Sequence, residues 1–198
     1  MRKNIIRIAL LVFFFMILTS IAVGLSSCTK NKAVEDVLNG LIGKQIILSK
    51  KSMVCLDNRQ CEKSPYNDKA SSYKFIIFFD STECSSCRMK SLFEWNDYLN
   101  LEIIKQVDFY FIFATKELSY MKELYRNCNL RHSILVDTCN VFISENNFIP
   151  SQNVYHYLML NHNNKIIFVG NIAENKKLEQ IFYSILKKKI QDSHSNIN

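Results

Sequence analysis

Glycine and proline are both scarce in this chain. Of its 198 residues, four are glycine and two are proline. The glycines, at positions 24, 40, 43 and 170, form neither a G-x-G-x-x-G motif nor a phosphate-binding loop, so the common nucleotide-binding cradles are excluded. Because proline is so rare and no short repeat is present, collagen-like, proline-rich and repeat architectures are excluded as well.

A strong excess of charge of one sign is also lacking. The chain has 25 basic and 18 acidic residues, a formal net charge of +7. The basic residues are dispersed, and the run Lys187–Lys189 ends a predicted helix, where cations complement the helix dipole. We therefore expect no nucleic-acid partner. With 48% hydrophobic residues, the chain can bury the core of one ordinary domain.

A long uncharged run occurs near the N-terminus. Three basic residues lie within the first seven positions, and residues 8–27 carry no charge, which is typical of a secretory signal. The run ends in Leu25-Ser26-Ser27-Cys28, which resembles the lipobox of bacterial lipoproteins. That resemblance implies a signal peptide over residues 1–27 and a membrane lipid on Cys28. An uncleaved membrane anchor is the alternative, and both place the remaining chain outside the cytoplasm.

The remaining chain divides by composition into three further segments. We expect a lipidated tether and short helix over residues 28–43, an α/β domain over residues 44–190 and a polar tail over residues 191–198. Loss of the signal peptide removes three positive charges, which lowers the formal net charge from +7 to +4.

Seven cysteines carry much of the information in this sequence. If Cys28 is lipidated, an even number of six remains, in a compartment where disulfides persist. Their spacing suggests three local pairs, although spacing does not fix the connectivity. We expect Cys55 and Cys61 to form a surface staple or a regulatory pair, and Cys128 and Cys139 to form a bridge or remain separate buried thiols. The third pair is Cys84 and Cys87.

Hydrophobic patterning predicts an α/β fold with a mixed sheet flanked by helices. Residues 74–80 and 108–114 are continuous apolar runs, typical of strands buried on both faces. Asn161–Asn164 is a hairpin turn signal between two further strands. The predicted helices are residues 33–42, 84–101, 117–127 and 175–189; the predicted strands are residues 45–48 and 53–56, which form a ribbon, and residues 74–80, 108–114, 133–136, 155–160 and 166–169.

The sequence Cys84-Ser85-Ser86-Cys87 directly follows a predicted buried strand and begins a predicted helix. Backbone N–H groups at a helix start stabilise a thiolate, and cysteines at i and i+3 can form a disulfide. In such pairs the first cysteine projects outward and attacks, whereas the second is more buried and resolves the mixed disulfide. Redox exchange is the favoured interpretation; a fixed structural disulfide and a metal site are the alternatives.

A metal site is disfavoured because zinc needs two more ligands at comparable spacing, and the sequence does not supply them. His156 alternates with apolar residues on a predicted strand. We expect it to be a solvent-facing or internally satisfied histidine rather than a ligand. The sequence therefore predicts no metal and no cofactor.

With these residues in view, the region from about residue 44 to residue 189 resembles a thioredoxin-fold domain. More narrowly, it resembles the membrane-anchored thiol–disulfide reductases and redoxin-like lipoproteins of the TlpA/ResA type, in a Bacteroidetes style. The resemblance implies that Cys84 is the nucleophile and Cys87 the resolving cysteine. It also implies partners that are protein thiols and disulfides of the bacterial cell envelope, with an unidentified electron donor or acceptor.

Three positions depart from the thioredoxin pattern. Glu83 stands where an aromatic residue or proline is usual, and its carboxylate opposes thiolate formation at Cys84. Phe78 replaces the family's buried acid, which leaves Asp80 as the nearest acid on that strand. Pro150 is the candidate for the family's cis-proline, but four residues separate it from the predicted strand. A second hypothesis therefore stays open, a non-catalytic binding or scaffold module with structural disulfides.

Overall fold

The computed structural model describes residues 32–57, 73–102, 104, 107–128, 130 and 132–195, with side chains up to residue 188. The predicted signal peptide, Cys28 and Cys61 lie outside these residues. The chain divides into two compact units, Met1–Gly40 and Leu41–Asn198. In the first unit the described residues belong to a helix, α1 (residues 32–41), as predicted for this segment.

The second unit is built on a six-stranded mixed sheet in the order β1-β4-β3-β2-β5-β6. Strands β2, β3 and β4 are mutually parallel, whereas β1, β5 and β6 each pair with a neighbour in the antiparallel direction. This arrangement confirms the predicted α/β class. The strands are β1 (Val54–Leu56), β2 (Tyr73–Phe79), β3 (Val107–Ala114), β4 (Ile134–Asp137), β5 (Tyr157–Leu160) and β6 (Ile166–Val169).

The continuous apolar runs form the two central strands. The register of β2 against β3 runs from Tyr73 opposite Val107 to Phe79 opposite Phe113. Both strands are covered on both faces, so nearly all of their side chains are buried. Phe75 is the centre of an aromatic cluster in this core, with ring centroids 5.4 Å from Phe109, 5.5 Å from Phe182 and 5.9 Å from Trp95. Each such buried ring stabilises the fold by about 1.5–3 kcal/mol.

The helix after the cysteine pair is shorter than predicted. A 3₁₀ turn, Leu92–Glu94, interrupts residues 84–101 and separates α2 (Ser85–Ser91) from α3 (Trp95–Leu99). The buried side chains Met89, Leu92 and Trp95 are spaced by three. A 3₁₀ turn keeps residues at that spacing on one face, whereas a continuous α-helix would rotate them away.

Three further helices cover the sheet: α4 (Leu118–Asn127), α5 (Val141–Glu145) and α6 (Lys176–Ser195). α6 extends beyond the predicted end at residue 189, so residues 191–195 are helical rather than part of a polar tail. Among the described helices, none has both the length and the apolar character needed to cross a bilayer.

The predicted N-terminal ribbon is not formed. β1 pairs with β4 at one edge of the sheet, while residues 43–46 pair with residues 164–166, at the start of β6, on the opposite edge. There Gly43 N–H donates to Ile166 O (2.8 Å), Ile166 N–H donates to Lys44 O (2.9 Å), and Gln45 forms an isolated bridge with Lys165. The two short segments therefore each complete a different edge, where backbone groups would otherwise lack partners.

Candidate redox site

The cysteine pair lies where β2 ends and α2 begins. Cys84 and Cys87 form a disulfide with a Cα–Cα distance of 5.3 Å, as the sequence predicted. Cys84 is the N-cap of α2, and its Sγ accepts a hydrogen bond from the backbone N–H of Cys87 at 3.4 Å. Both residues are exposed in this disulfide-bonded form, and the expectation that Cys87 is the more buried of the two stays a prediction. The disulfide is open to attack from solvent.

The two acids before the pair shape the turn that presents it. Asp80 Oδ1 accepts from Thr82 N–H at 2.8 Å, and Glu83 Oε1 accepts from Asp80 N–H at 3.0 Å. Glu83 N–H donates in return to Asp80 O at 3.0 Å. Asp80 is half-buried and bonded within its own turn. It therefore supports the loop before Cys84, and its bonds are not those of a buried proton acceptor.

Glu83 is paired with Arg88, and this ion pair brackets the two cysteines in sequence. Arg88 Nε lies at ion-pair distance from Glu83 Oε2, and the Glu83 side chain is only 13% exposed. Arg88 N–H also donates to Cys84 O at 3.0 Å. The guanidinium offsets the carboxylate that the sequence analysis expected to oppose thiolate formation. Arg88 was missed there, although its place directly after Cys87 was a usable signal.

His156 is buried rather than solvent-facing, and one ring nitrogen is bonded inside the fold, so the structure favours the second of the two expectations, an internally satisfied histidine. It immediately precedes β5 and is 1% exposed. Its Nε2 is 2.9 Å from Pro150 O, its Nδ1 is 3.9 Å from Glu83 Oε1, and its ring centroid is 5.1 Å from that of Phe78. The fold thus brings His156 to the loop that carries the cysteines, 73 residues earlier in the chain.

Pro150 does not occupy the position next to β5. The described residues contain no cis peptide bond, and a 3₁₀ turn, Asn153–Tyr155, separates Pro150 from the strand. His156 instead stands directly before β5. Pro150 acts on the site through its carbonyl, which accepts from His156 Nε2. The candidate cis-proline is therefore wrong.

Of the two alternatives expected for Cys128 and Cys139, the structure has separate thiols rather than a bridge, although neither is fully buried. Cys128 ends α4 half-buried, and its Sγ donates to Tyr125 O at 3.1 Å. Burial raises the pKa of the Cys128 thiol. Cys139 is exposed in a turn, and its backbone N–H donates a hydrogen bond to Oδ1 of the buried Asp137. Cys55 is exposed on β1; its pairing with Cys61 stays a prediction.

The described residues contain no group of three or more histidine, cysteine or acidic side chains that could hold a metal ion. This finding covers only that part of the chain. Within it, the cysteine pair has the charged and polar neighbours described above: Glu83, Arg88 and His156.

Two clefts flank α2. A cleft of about 410 Å³ lies towards α4, and its lining is largely apolar. A second cleft, of about 280 Å³, lies towards the loops before β5 and after β6. Burial raises the pKa of Tyr157 in the second cleft to about 12, so its phenol stays neutral. The linings include Ser86, Met89, Phe93, Leu124 and Cys128 in the first cleft, and Arg88, Val154, Tyr157, Gly170, Asn171 and Glu174 in the second.

Comparison with known proteins gives matches only among solved structures. No protein-family model and no curated protein matches this chain. A thioredoxin-like protein solved in its oxidised form is 15% identical over 75% of this chain and 97% of that one, with a TM-score of 0.50. A protein from Chlorobium tepidum described as a putative thiol:disulfide interchange protein DsbE is 14% identical over 73% and 97%, with a TM-score of 0.51. Identities this low show a shared fold.

Proposed function

We propose that this chain, whose thioredoxin-like fold confirms the prediction from sequence, is a thiol–disulfide oxidoreductase. One observation carries the proposal. The Cys84–Cys87 disulfide is exposed at the start of α2, with the N–H of Cys87 directed at the sulfur of Cys84. An exposed disulfide in that setting can be attacked, opened and closed again without unfolding the core.

The exchange proceeds in two balanced steps. In the reduced protein the Cys84 thiolate attacks one sulfur of a partner disulfide; a mixed disulfide forms, and the partner's other sulfur leaves as a thiolate. Cys87, having lost its proton to solvent, then attacks the Cys84 sulfur; the internal disulfide forms and the second partner thiolate leaves. Two electrons pass from the chain to the partner. The same steps in reverse oxidise a partner dithiol. A second protein, a dithiol in the first direction and a disulfide in the reverse direction, then restores the starting form of the chain.

Local contacts support the assignment of Cys84 as the attacking residue. The hydrogen bond from Cys87 N–H is retained by a thiolate at Cys84, and a hydrogen bond to the charged form favours that form. Arg88 offsets the Glu83 carboxylate beside it. Exposed Val154 borders the cleft on one side of α2 and exposed Phe93 borders the cleft on the other, so a partner segment around the attacked cysteine can pack there.

We place this activity in the bacterial cell envelope, with a lipid on Cys28 holding the chain to a membrane. The basic start, the uncharged run of residues 8–27 and the lipobox-like Leu25–Cys28 support this location. The C. tepidum neighbour, described as a DsbE-type interchange protein, agrees with it. The partners are then protein thiols and disulfides outside the cytoplasm.

Trapping of mixed disulfides tests the activity. Cys87→Ser should leave partner proteins covalently attached to Cys84, because the resolving thiol is gone. Cys84→Ser/Cys87→Ser is the matched negative control, and Cys128→Ser tests whether the remaining half-buried thiol contributes. If the single variant traps no more protein than the double variant, the oxidoreductase is refuted and the scaffold module with a structural disulfide is favoured.

A further inference from the structure

One ring nitrogen of His156 forms a hydrogen bond, and the other has none within the described residues. Its Nε2 lies 2.9 Å from Pro150 O, and a carbonyl oxygen can only accept a hydrogen bond, so the network assigns a hydrogen to Nε2. In the neutral ring, Nδ1 is then the nitrogen that carries the lone pair. The side chain is 1% exposed, and Nδ1 has no hydrogen bond within the described part of the chain.

Glu83 faces that available nitrogen. Its Oε1 lies 3.9 Å from Nδ1, and its side chain is 13% exposed. With a neutral ring, the lone pair of Nδ1 points towards a carboxylate. A proton on Nδ1 would convert this arrangement into an ion pair at 3.9 Å. The geometry thus places a buried imidazole nitrogen against the carboxylate of the residue that directly precedes Cys84.

The surrounding elements determine the charge of this cluster. From α2, Arg88 pairs with the other carboxylate oxygen of Glu83. From β2, Phe78 packs an apolar ring on His156. From β5, Tyr157 contributes a phenol that burial keeps neutral, with Arg88, Glu174 and Glu83 as its charged neighbours. Because Glu83 and Arg88 balance each other, a proton on His156 changes this group of three side chains from neutral to a charge of +1.

We propose that His156 is a positioning residue that acts through Glu83 and makes the reactivity of Cys84 depend on pH. The inference rests on the proposed function, since it concerns the same cysteine. With the ring protonated, the Glu83 carboxylate is doubly countered, and a thiolate at Cys84 is favoured. With the ring neutral, only Arg88 counters the carboxylate, and the thiolate is less favoured. By linkage, a thiolate at Cys84 must in turn favour the protonated ring to the same extent.

Two measurements on the full-length chain test the inference. The first follows the His156 ring by NMR in the disulfide-bonded and reduced proteins, with its signals identified from those missing in His156→Gln. We expect the pH midpoint of the ring titration to be higher in the reduced protein. The exposed His162, in the turn between β5 and β6, is the matched internal control and should titrate identically in both forms. Equal midpoints for His156 in both forms would overturn the inference.

The second measurement is the rate of Cys84 alkylation in the reduced protein as a function of pH. His156→Gln should slow alkylation several-fold at the acidic end of the pH profile, and Glu83→Gln should speed it and abolish the effect of the histidine change in the double variant. If His156→Gln slows alkylation equally in both backgrounds, the histidine only braces its loop and the inference fails. If His156→Gln does not fold, the redox-dependent titration, with the ring signals assigned by sequential NMR experiments, and Glu83→Gln decide the matter.

These readouts need no partner protein. Redox-dependent titration with failed partner trapping would refute the proposed function but retain the coupling of His156 to Cys84. Successful partner trapping, together with a His156 titration that is the same in both redox forms, would support the proposed function but refute the coupling of His156 to Cys84.

Discussion

Opening the Cys84–Cys87 disulfide should cost this fold little. The two cysteines are separated by 3 in sequence, so the bond closes a very short loop. In the chain-entropy description, a disulfide stabilises by restricting the unfolded chain, and a loop of this size contributes about 2 kcal/mol, against about 3 kcal/mol for a 15-residue loop. The reduced protein can keep the hydrogen bond from Cys87 N–H to Cys84 Sγ, so that contribution of about 1 kcal/mol is not lost as well.

Urea unfolding of the oxidised and reduced full-length chain measures the difference. With a slope of about 2 kcal/mol per M, a loss of about 1–2 kcal/mol lowers the midpoint by roughly 0.5–1 M. Cys128→Ser is the control, because it removes a thiol outside the pair and should leave the difference between the two forms unchanged. Cys84→Ser/Cys87→Ser should unfold near the midpoint of the reduced protein.

The same difference sets how strongly folding favours the oxidised pair. Since about 1.4 kcal/mol corresponds to about 30 mV for a two-electron couple, folding should lower the reduction potential of the pair by roughly 20–40 mV. A shift that small suits a pair that cycles between two forms. A stability loss above about 4 kcal/mol on reduction would refute the reasoning and indicate a structural staple.

Three further predictions concern residues near the two clefts. Cys128 should react with iodoacetamide more slowly than the exposed Cys139 at pH 8, because burial raises the pKa of its thiol and reduces the thiolate fraction; equal rates by mass spectrometry would contradict this. The pKa of Tyr157 is raised from 10.0 to about 12, so its phenol stays protonated to a higher pH in the folded than in the unfolded protein. Its contribution to stability is therefore complete below pH 10 and is lost as pH rises through 12, so Tyr157→Phe should flatten that decline in unfolding experiments. Gly170→Ala should destabilise the fold by about 1–3 kcal/mol, because φ is +149° and the added Cβ would lie 2.8 Å from a leucine side chain of α6; Gly40→Ala, in α1 with nothing within 4 Å, should be neutral or stabilising by thermal melts.

The fold was predictable because the central strands of its sheet are continuous apolar runs in the sequence. Residues 74–80 and 108–114 are too hydrophobic to face solvent, so they indicate central strands whatever the rest of the chain does. The cysteine pair was predictable for a related reason. Its two members are three residues apart, so local geometry alone allows the disulfide.

Contacts between distant segments could not be predicted from patterning. The alternation around His156 placed it on a strand, but β5 begins one residue later, and a shift of that size changes which way a side chain points. Its contact with Glu83 depends on β2 and β5 pairing in one register. Arg88 was overlooked because a basic residue on a short helix is normally a solvated one.

The remaining errors came from assuming that neighbours in sequence pair with one another. The spacing of Cys128 and Cys139 suggested a local bridge as one of two alternatives, yet Cys128 is satisfied by a carbonyl of its own helical turn. In the same way, residues 45–48 and 53–56 were expected to pair as a ribbon. Each is too short to form a stable hairpin alone, and each adds instead to an edge of the large sheet.

The pairing of residues 43–46 with the start of β6 affects how prone copies of this chain are to aggregate at high concentration. An open strand edge is a template on which a second molecule can add a strand and begin an ordered aggregate. Here the chain's own backbone occupies Ile166, and Ile46 N–H donates to Asn164 O at 2.9 Å. The segment that follows the N-terminal helix therefore covers the start of this edge strand, and truncation past residue 46 should leave the backbone of residues 164–166 open to pairing with a second molecule.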